Sequence, residues 1–173
     1  MRGLAKIAYP AALAAVLVLS ACKIRASVPI TLSPPDPSAM IDSVRAFADS
    51  VAKGITARGP GAWRGYFADT SAFFMASEGQ MAFPTSESAT KGIARLVEVI
   101  GHIELTWGDS IRVDPIAPGL AMMATTYHEV RVDKLGKRVV ENGFFTGLAE
   151  HRAGGWQFRD AHWSVKSAPP AVP

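Results

Sequence analysis

Two polar side chains near the end of the chain stand at a spacing that can move protons. Strand-like alternation from Trp156 to Val165 puts Trp156, Phe158, Asp160, His162 and Ser164 on one face, and Gln157, Arg159, Ala161 and Trp163 on the other. A carboxylate two positions from an imidazole on one face favours the charged ring, or orients a neutral ring as a general base. The alternative is a histidine that makes a structural hydrogen bond and nothing more. Tyr127 and Glu129 also share a strand face, with His128 on the opposite one. Inside an apolar enclosure Glu129 would be a base of raised pKa; in solvent it is an ordinary carboxylate. Phe145, Gly147 and Ala149 form a third same-face set, whose small members either leave cavity volume or mark a bend. His102 and His151 fall at element ends, where exposure is expected. No single element presents three His, Asp or Glu side chains at ligand spacing, so neither a metal nor a cofactor is expected.

Strands must align these residues. Apolar alternation predicts them over Leu120–Val132, Val139–His151 and Trp156–Val165, joined by Asp133-Lys134-Leu135-Gly136-Lys137 and by Ala153-Gly154-Gly155. Ile103, Leu105 and Trp107 alternate with His102, Glu104 and Thr106 in an earlier strand, which Ile111–Val113 extends past Gly108. Pro115–Gly119 reads as a loop. Ser71–Ala76 and Met81–Phe83 read as short partners around a turn at Gly79.

Helices come before the long strands. Ile41, Val44, Phe47, Ala48, Val51 and Ile55 make one apolar stripe, predicting a helix from about Pro37 to Ala57, with Asp36 as N-cap and Pro37 at the first helical position. Gly59-Pro60-Gly61 breaks it. A short second helix carries Trp63, Tyr66 and Phe67. A third, roughly Glu87–Ile100, shows Ile93, Leu96, Val97 and Ile100 at i, i+3, i+4 and i+7. Helices followed by antiparallel strands indicate an α+β domain over residues 36–165. Its core should include Val44, Phe47, Val51, Phe67, Ile93, Leu96, Trp156 and Phe158. The tail, residues 166–173, holds Pro169, Pro170 and Pro173 and is expected to be disordered.

The one cysteine, Cys22, directly follows Leu19-Ser20-Ala21. Arg2 and Lys6 precede an apolar run from Ile7 to Leu19, which Pro10 interrupts. This is the layout of a secretory signal, residues 1–21, and it is too short for the ~20 residues that span a bilayer. The L-S-A-C string resembles the lipobox of bacterial lipoproteins. That resemblance implies cleavage before Cys22, acylation of its thiol and new N-terminus, and anchoring to membrane lipid. It places the protein in the bacterial cell envelope, and because Lys23 stands where the resemblance implies an aspartate for inner-membrane retention, the periplasmic face of the outer membrane is expected rather than the inner membrane. Residues 22–35 are then a proline-containing tether. Without Arg2 and Lys6 the chain carries 16 basic against 15 acidic residues, so no nucleic-acid partner is expected. With no cysteine after Cys22, disulfide frameworks, Cys-ligated zinc and Cys nucleophiles are excluded from the domain.

The element order resembles the nuclear-transport-factor-two-like, or cystatin-like cone, superfamily, and its SnoaL-like group in particular. Trp63-Arg64-Gly65-Tyr66-Phe67-Ala68-Asp69 is similar to the segment closing the second helix of that family. Gly143-Phe144-Phe145-Thr146 is similar to its penultimate strand, and Gly155-Trp156-Gln157-Phe158-Arg159-Asp160-Ala161-His162-Trp163-Ser164 to its last. The resemblance implies a cone-shaped, curved antiparallel sheet packed on N-terminal helices, open at one end. It turns the Asp160 and His162 face into the cone and the Arg159 and Trp163 face toward a homodimer partner. The expected pocket is walled by Phe145, Trp156 and Phe158, with Tyr127, Glu129, Asp160 and His162 as its polar groups.

Members of the superfamily include isomerases, cyclases, dehydratases and proteins without catalysis, so the fold leaves function open. The isomerase pattern implies a first-helix tyrosine, which is absent here, and an oxyanion aspartate where Gly147 stands. It implies a base near Ser77 or Glu78, of which only Glu78 qualifies. A scytalone-type dehydratase implies a His–Asp pair, which Asp160 and His162 imitate. Two functions follow. One is a membrane-anchored domain binding a small apolar ligand or a protein partner without catalysis. The other is a cyclase, isomerase or dehydratase with Asp160 and His162 as catalytic acid–base groups.

Overall fold

The computed structural model describes residues 37–166. The expected signal, the Cys22 lipidation site, its tether, the Asp36 cap and the tail from residue 167 lie outside the described residues. Helix α1 spans Pro37–Arg58 and buries Val44, Phe47, Ala48, Val51 and Ile55, the stripe its spacing requires. Gly59 ends it in the left-handed region, at φ 75°, with its N–H donating to the Ile55 carbonyl at 2.8 Å. A 3-10 turn, Pro60–Ala62, leads into the single-turn α2, Trp63–Tyr66. Helix α3, Ser86–Val99, starts from a capping box: Ser88 N–H donates to Thr85 Oγ1 at 3.1 Å, and Thr85 N–H to Ser88 Oγ at 3.0 Å.

Seven strands form one sheet: β1 Phe74–Ser77, β2 Gln80–Phe83, β3 Ile100–Trp107, β4 Arg112–Ala117, β5 Leu120–Asp133, β6 Arg138–Arg152 and β7 Gly155–Val165. The order is β2-β1-β7-β6-β5-β3, and β4 also pairs with β5. The sheet is curved, unclosed and mixed rather than purely antiparallel, because β1 runs parallel to β7. The helices between β2 and β3 and before β1 leave the short hairpin free to join the far edge. Strand β5 holds the sheet's other side together. One of its edges pairs with β6 along almost its whole length; the other takes β4 at the start and β3 at the end. Strand β4 thus resumes the track of β3 after an excursion at residues 108–111, and it uses Pro115 to Ala117, which the sequence marks as loop.

Strand β7 departs from simple alternation. Leu148 pairs with Asp160 and Ala149 with Phe158, so Arg159 is an extra residue, a β-bulge. A bulge shifts the alternation by one. Phe158 is inward before it, and Ala161 and Trp163 are inward after it. The core is correspondingly aromatic. Trp163 packs on Phe145, Tyr127, Trp107 and Trp63, with ring centroids 4.6–5.8 Å apart. Of the expected core residues, Leu96 and Trp156 are only half-buried. The indole N–H of Trp156 donates to Ser43 Oγ on α1 at 2.8 Å.

Candidate functional site

The inward faces of β5 and β6 meet α2, α3 and the β1–β2 hairpin around a cavity of about 340 Å³. Its walls are mainly apolar: Trp63, Phe67, Met75, Phe83, Ile93, Leu96, Ile100, Ile103 and Trp163. Tyr127, Glu129 and Arg131 reach it from alternate positions of β5, and Glu141 from the paired position on β6. Ser77 and Glu78 reach it from the end of β1.

Glu129 is only 9% exposed. Its Oε1 accepts from Arg131 Nε at 3.2 Å, and Arg131 bonds Glu141 through its other end. Glu129 and Glu141 face each other across the β5–β6 ladder, so one guanidinium serves two carboxylates. Burial pushes the Glu129 carboxyl up to about 7. Arg131 opposes that rise, and the Glu141 charge adds to it. The desolvation of Glu129 outweighs its ion pair. Burial, with Glu141, Glu129 and Glu78 behind it, likewise pushes the Tyr127 hydroxyl up to about 12, so it stays a hydrogen-bond donor at neutral pH. Glu129 can therefore hold or release a proton near neutrality, beside a phenol that cannot.

Glu78 is held differently. It is the one non-glycine residue with positive φ, 53°, among the described residues, and Gly79 follows at 73°. The pair forms the two-residue turn of the β1–β2 hairpin, the conformation such turns require. Glu78 Oε1 accepts from Val165 N–H at 2.8 Å, and Glu78 N–H donates to the Trp163 carbonyl at 3.2 Å. Its carboxylate is committed to closing the end of β7.

The other expected pocket residues go elsewhere. Asp160 and His162 do not line the cavity: the Arg159 bulge turns both to the outer face, where Asp160 takes an ion pair from Arg159 at 3.3 Å and His162 is exposed. The expectation that they face inward is corrected by that single extra residue. Phe145 and Phe158 point inward but fill the core instead of walling the cavity. The space above Gly147 is theirs; a Cβ there would lie 2.6 Å from Phe145 and 2.9 Å from Phe158. The small residues of β6 admit rings rather than leave volume. Trp156 is at the opposite end of β7 from the cavity, edge-on to His151. Trp163, expected outside at a dimer interface, is buried in the cavity wall, which removes the motive for a dimer through that face.

Sequence reasoning placed Tyr127 and Glu129 on one strand face but missed Arg131 and Glu141. The signal was present: Tyr127, Glu129 and Arg131 continue one alternation, and a charged pair on facing strands of a hairpin is a common ladder contact. Among the described residues no group of three His, Cys, Asp or Glu side chains could hold a metal ion.

No family model matches the chain, and no curated protein matches it in sequence. Solved structures do match. An NTF2-like superfamily protein from Salmonella enterica serovar Typhimurium superposes with a TM-score of 0.58 at 10% identity, over 78% of this chain and 93% of that one. The chain has the nuclear transport factor 2-like fold. An uncharacterised protein with a cystatin-like fold from Caulobacter vibrioides gives 0.57 at 18% identity, over 73% and 89%. A hexachlorocyclohexane dehydrochlorinase, LinA type 2, gives 0.60 at 14% identity, over 78% and 97%. The fold is thus shared between chains that carry chemistry in their names and chains that do not, and the NTF2-like cone alone does not choose between them.

Proposed function

We propose that this protein is a cell-envelope domain, anchored through lipid on Cys22, that holds a small and largely apolar molecule in the cavity around Glu129. The observation that carries the ligand reading is a buried carboxyl poised near neutral pH inside a mainly apolar enclosure. Apolar walls supply affinity through burial, and a few polar groups set orientation. At about 340 Å³ the cavity is at the small end of the ~300–1,000 Å³ typical of ligand sites. Glu129 offers a donor when protonated and an acceptor when not; Tyr127 offers a donor throughout.

The titration of Glu129 also favours a second reading, proton transfer on a bound substrate. A carboxyl near pH 7 suits general acid–base work, and the dehydrochlorinase neighbour shares the fold. In that reading Glu129 moves the proton and Tyr127 donates to developing negative charge. Asp160 and His162, facing out, take no part.

Native mass spectrometry of the protein purified from its own membrane tests the ligand reading. The expected result is a retained small molecule that is lost in Leu96→Trp, which fills the cavity from α3. A protein with no retained mass, whose intrinsic fluorescence also ignores a panel of apolar compounds, overturns it. Glu129→Gln separates the two readings: a binder keeps its ligand, whereas an enzyme loses turnover. The anchor is tested by Cys22→Ala, which should leave uncleaved precursor and move the domain from the detergent to the aqueous phase. A mature Cys22 with a free thiol and no added mass overturns it.

A further inference from the structure

The turn between β5 and β6 presents a leucine where a turn ordinarily presents a polar residue. Leu135 is 95% exposed, far above every other large hydrophobic of the described residues. Hydrogen bonds hold its backbone there. Asp133 Oδ1 accepts from Leu135 N–H at 2.8 Å and from Lys137 N–H at 2.9 Å. Gly136, at φ 87°, donates to the Asp133 carbonyl at 3.0 Å, and Asp133 N–H donates to the Lys137 carbonyl at 3.0 Å. Lys134 N–H donates to the Val99 carbonyl at 3.0 Å, tying the turn to the end of α3. With its backbone hydrogen-bonded at both sides, the leucine stands clear of the domain.

The exposed charged side chains of the tip itself are all cationic. Lys134, Lys137 and Arg138 are all exposed. The Asp133 carboxylate is turned inward onto the turn's own N–H groups, and the nearest other acid along α3 is the exposed Glu98, beside the half-exposed Val99. An exposed apolar side chain ringed by cations matches a surface with anionic headgroups above hydrocarbon.

We propose that this hairpin tip is a membrane-docking element that seats Leu135 in an anionic phospholipid surface. The inference rests on the envelope-anchored part of the function above and is independent of the cavity's ligand. One leucine and three cations are a weak site alone, and stable membrane binding takes two signals. The tip therefore orients a domain that its anchor already holds close. The same hairpin carries Arg131 and Glu141 a few residues from the tip, so docking would turn this end of the cavity toward the bilayer.

The test uses the mature chain, residues 22–173, with Cys22→Ser, which removes the native thiol and the acyl chains together. Leu135→Cys is labelled with an environment-sensitive fluorophore, and Gly154→Cys at the opposite end of β6 is the control. Both are mixed with phosphatidylethanolamine–phosphatidylglycerol vesicles. The expected result is a blue-shifted emission at position 135, quenched by doxyl-labelled lipid and shielded from iodide, with neither effect at position 154. Phosphatidylcholine vesicles, or Lys134→Glu with Lys137→Glu, should abolish it. Equal iodide quenching at both positions overturns the proposal, and so does insertion that ignores both lipid charge and charge reversal. Because Cys22 is absent throughout, a failure here is separate from a failure of lipidation, which the mass of mature Cys22 reads.

Discussion

Replacing Glu129 with glutamine should stabilise the folded chain at alkaline pH and leave it almost unchanged in acid. The unfolded carboxyl titrates near 4.5 and the folded one near 7. Between those values the folded chain keeps a proton that the unfolded chain has lost. Stability contributed by this group is therefore full below pH 4.5 and falls as pH rises through 7. At ~1.4 kcal/mol per unit, the carboxylate costs the wild-type fold about 3 kcal/mol by pH 8. Glutamine has the shape of the protonated acid and does not titrate. Urea denaturation followed by tryptophan fluorescence at pH 4, 6, 7 and 8 should show near-equal midpoints at pH 4. The variant should then lead by up to ~3 kcal/mol at pH 8. A variant less stable than wild type at pH 8 by more than ~1 kcal/mol would refute the reasoning: Arg131 would then hold the carboxylate more strongly than burial opposes it.

Three further outcomes follow from the same geometry. Trp163→Ala should cost ~3–5 kcal/mol, whereas His162→Ala should stay within ~0.5 kcal/mol; parallel denaturation curves decide, and the reverse order would remove the bulge. Gly147→Ala should cost ~1–3 kcal/mol by thermal melting, because the added methyl enters the space of Phe145 and Phe158. A spectrophotometric titration of the folded chain should show a tyrosine ionising near pH 12, and Tyr127→Phe should remove that step.

Much of this architecture was legible in the order of residues. The α1 stripe, the extents of β5, β6 and β7 with their connecting turns, and the strand face shared by Tyr127 and Glu129 all follow from periods of 3.6 and 2 that core burial enforces. What escaped was wherever the period breaks. Phe158 and Ala161 are three apart with Arg159 and Asp160 between them, a spacing neither strand face can absorb without an extra residue. That spacing was the visible sign of the bulge. The parallel pairing of β1 with β7 had no local sign, since it joins segments about 85 residues apart through contacts that no short window contains. The Arg131 and Glu141 bridge became readable only once the β5–β6 register was known.

The bulge at Arg159 lets two interiors share one stretch of sequence. With every residue kept and no bulge, β7 would alternate strictly from Phe158 and carry Asp160 and His162 inside, with Ala161 and Trp163 outside. With Arg159 looped out, the aromatic set is inside instead. The last strand therefore encodes two alternative interiors in overlapping text, one aromatic and one acid–base, and the register beyond Phe158 selects between them. Deleting Arg159 would not exchange them: Asp160 would then follow Phe158 directly, and Ala161 and Trp163 would keep their inward positions.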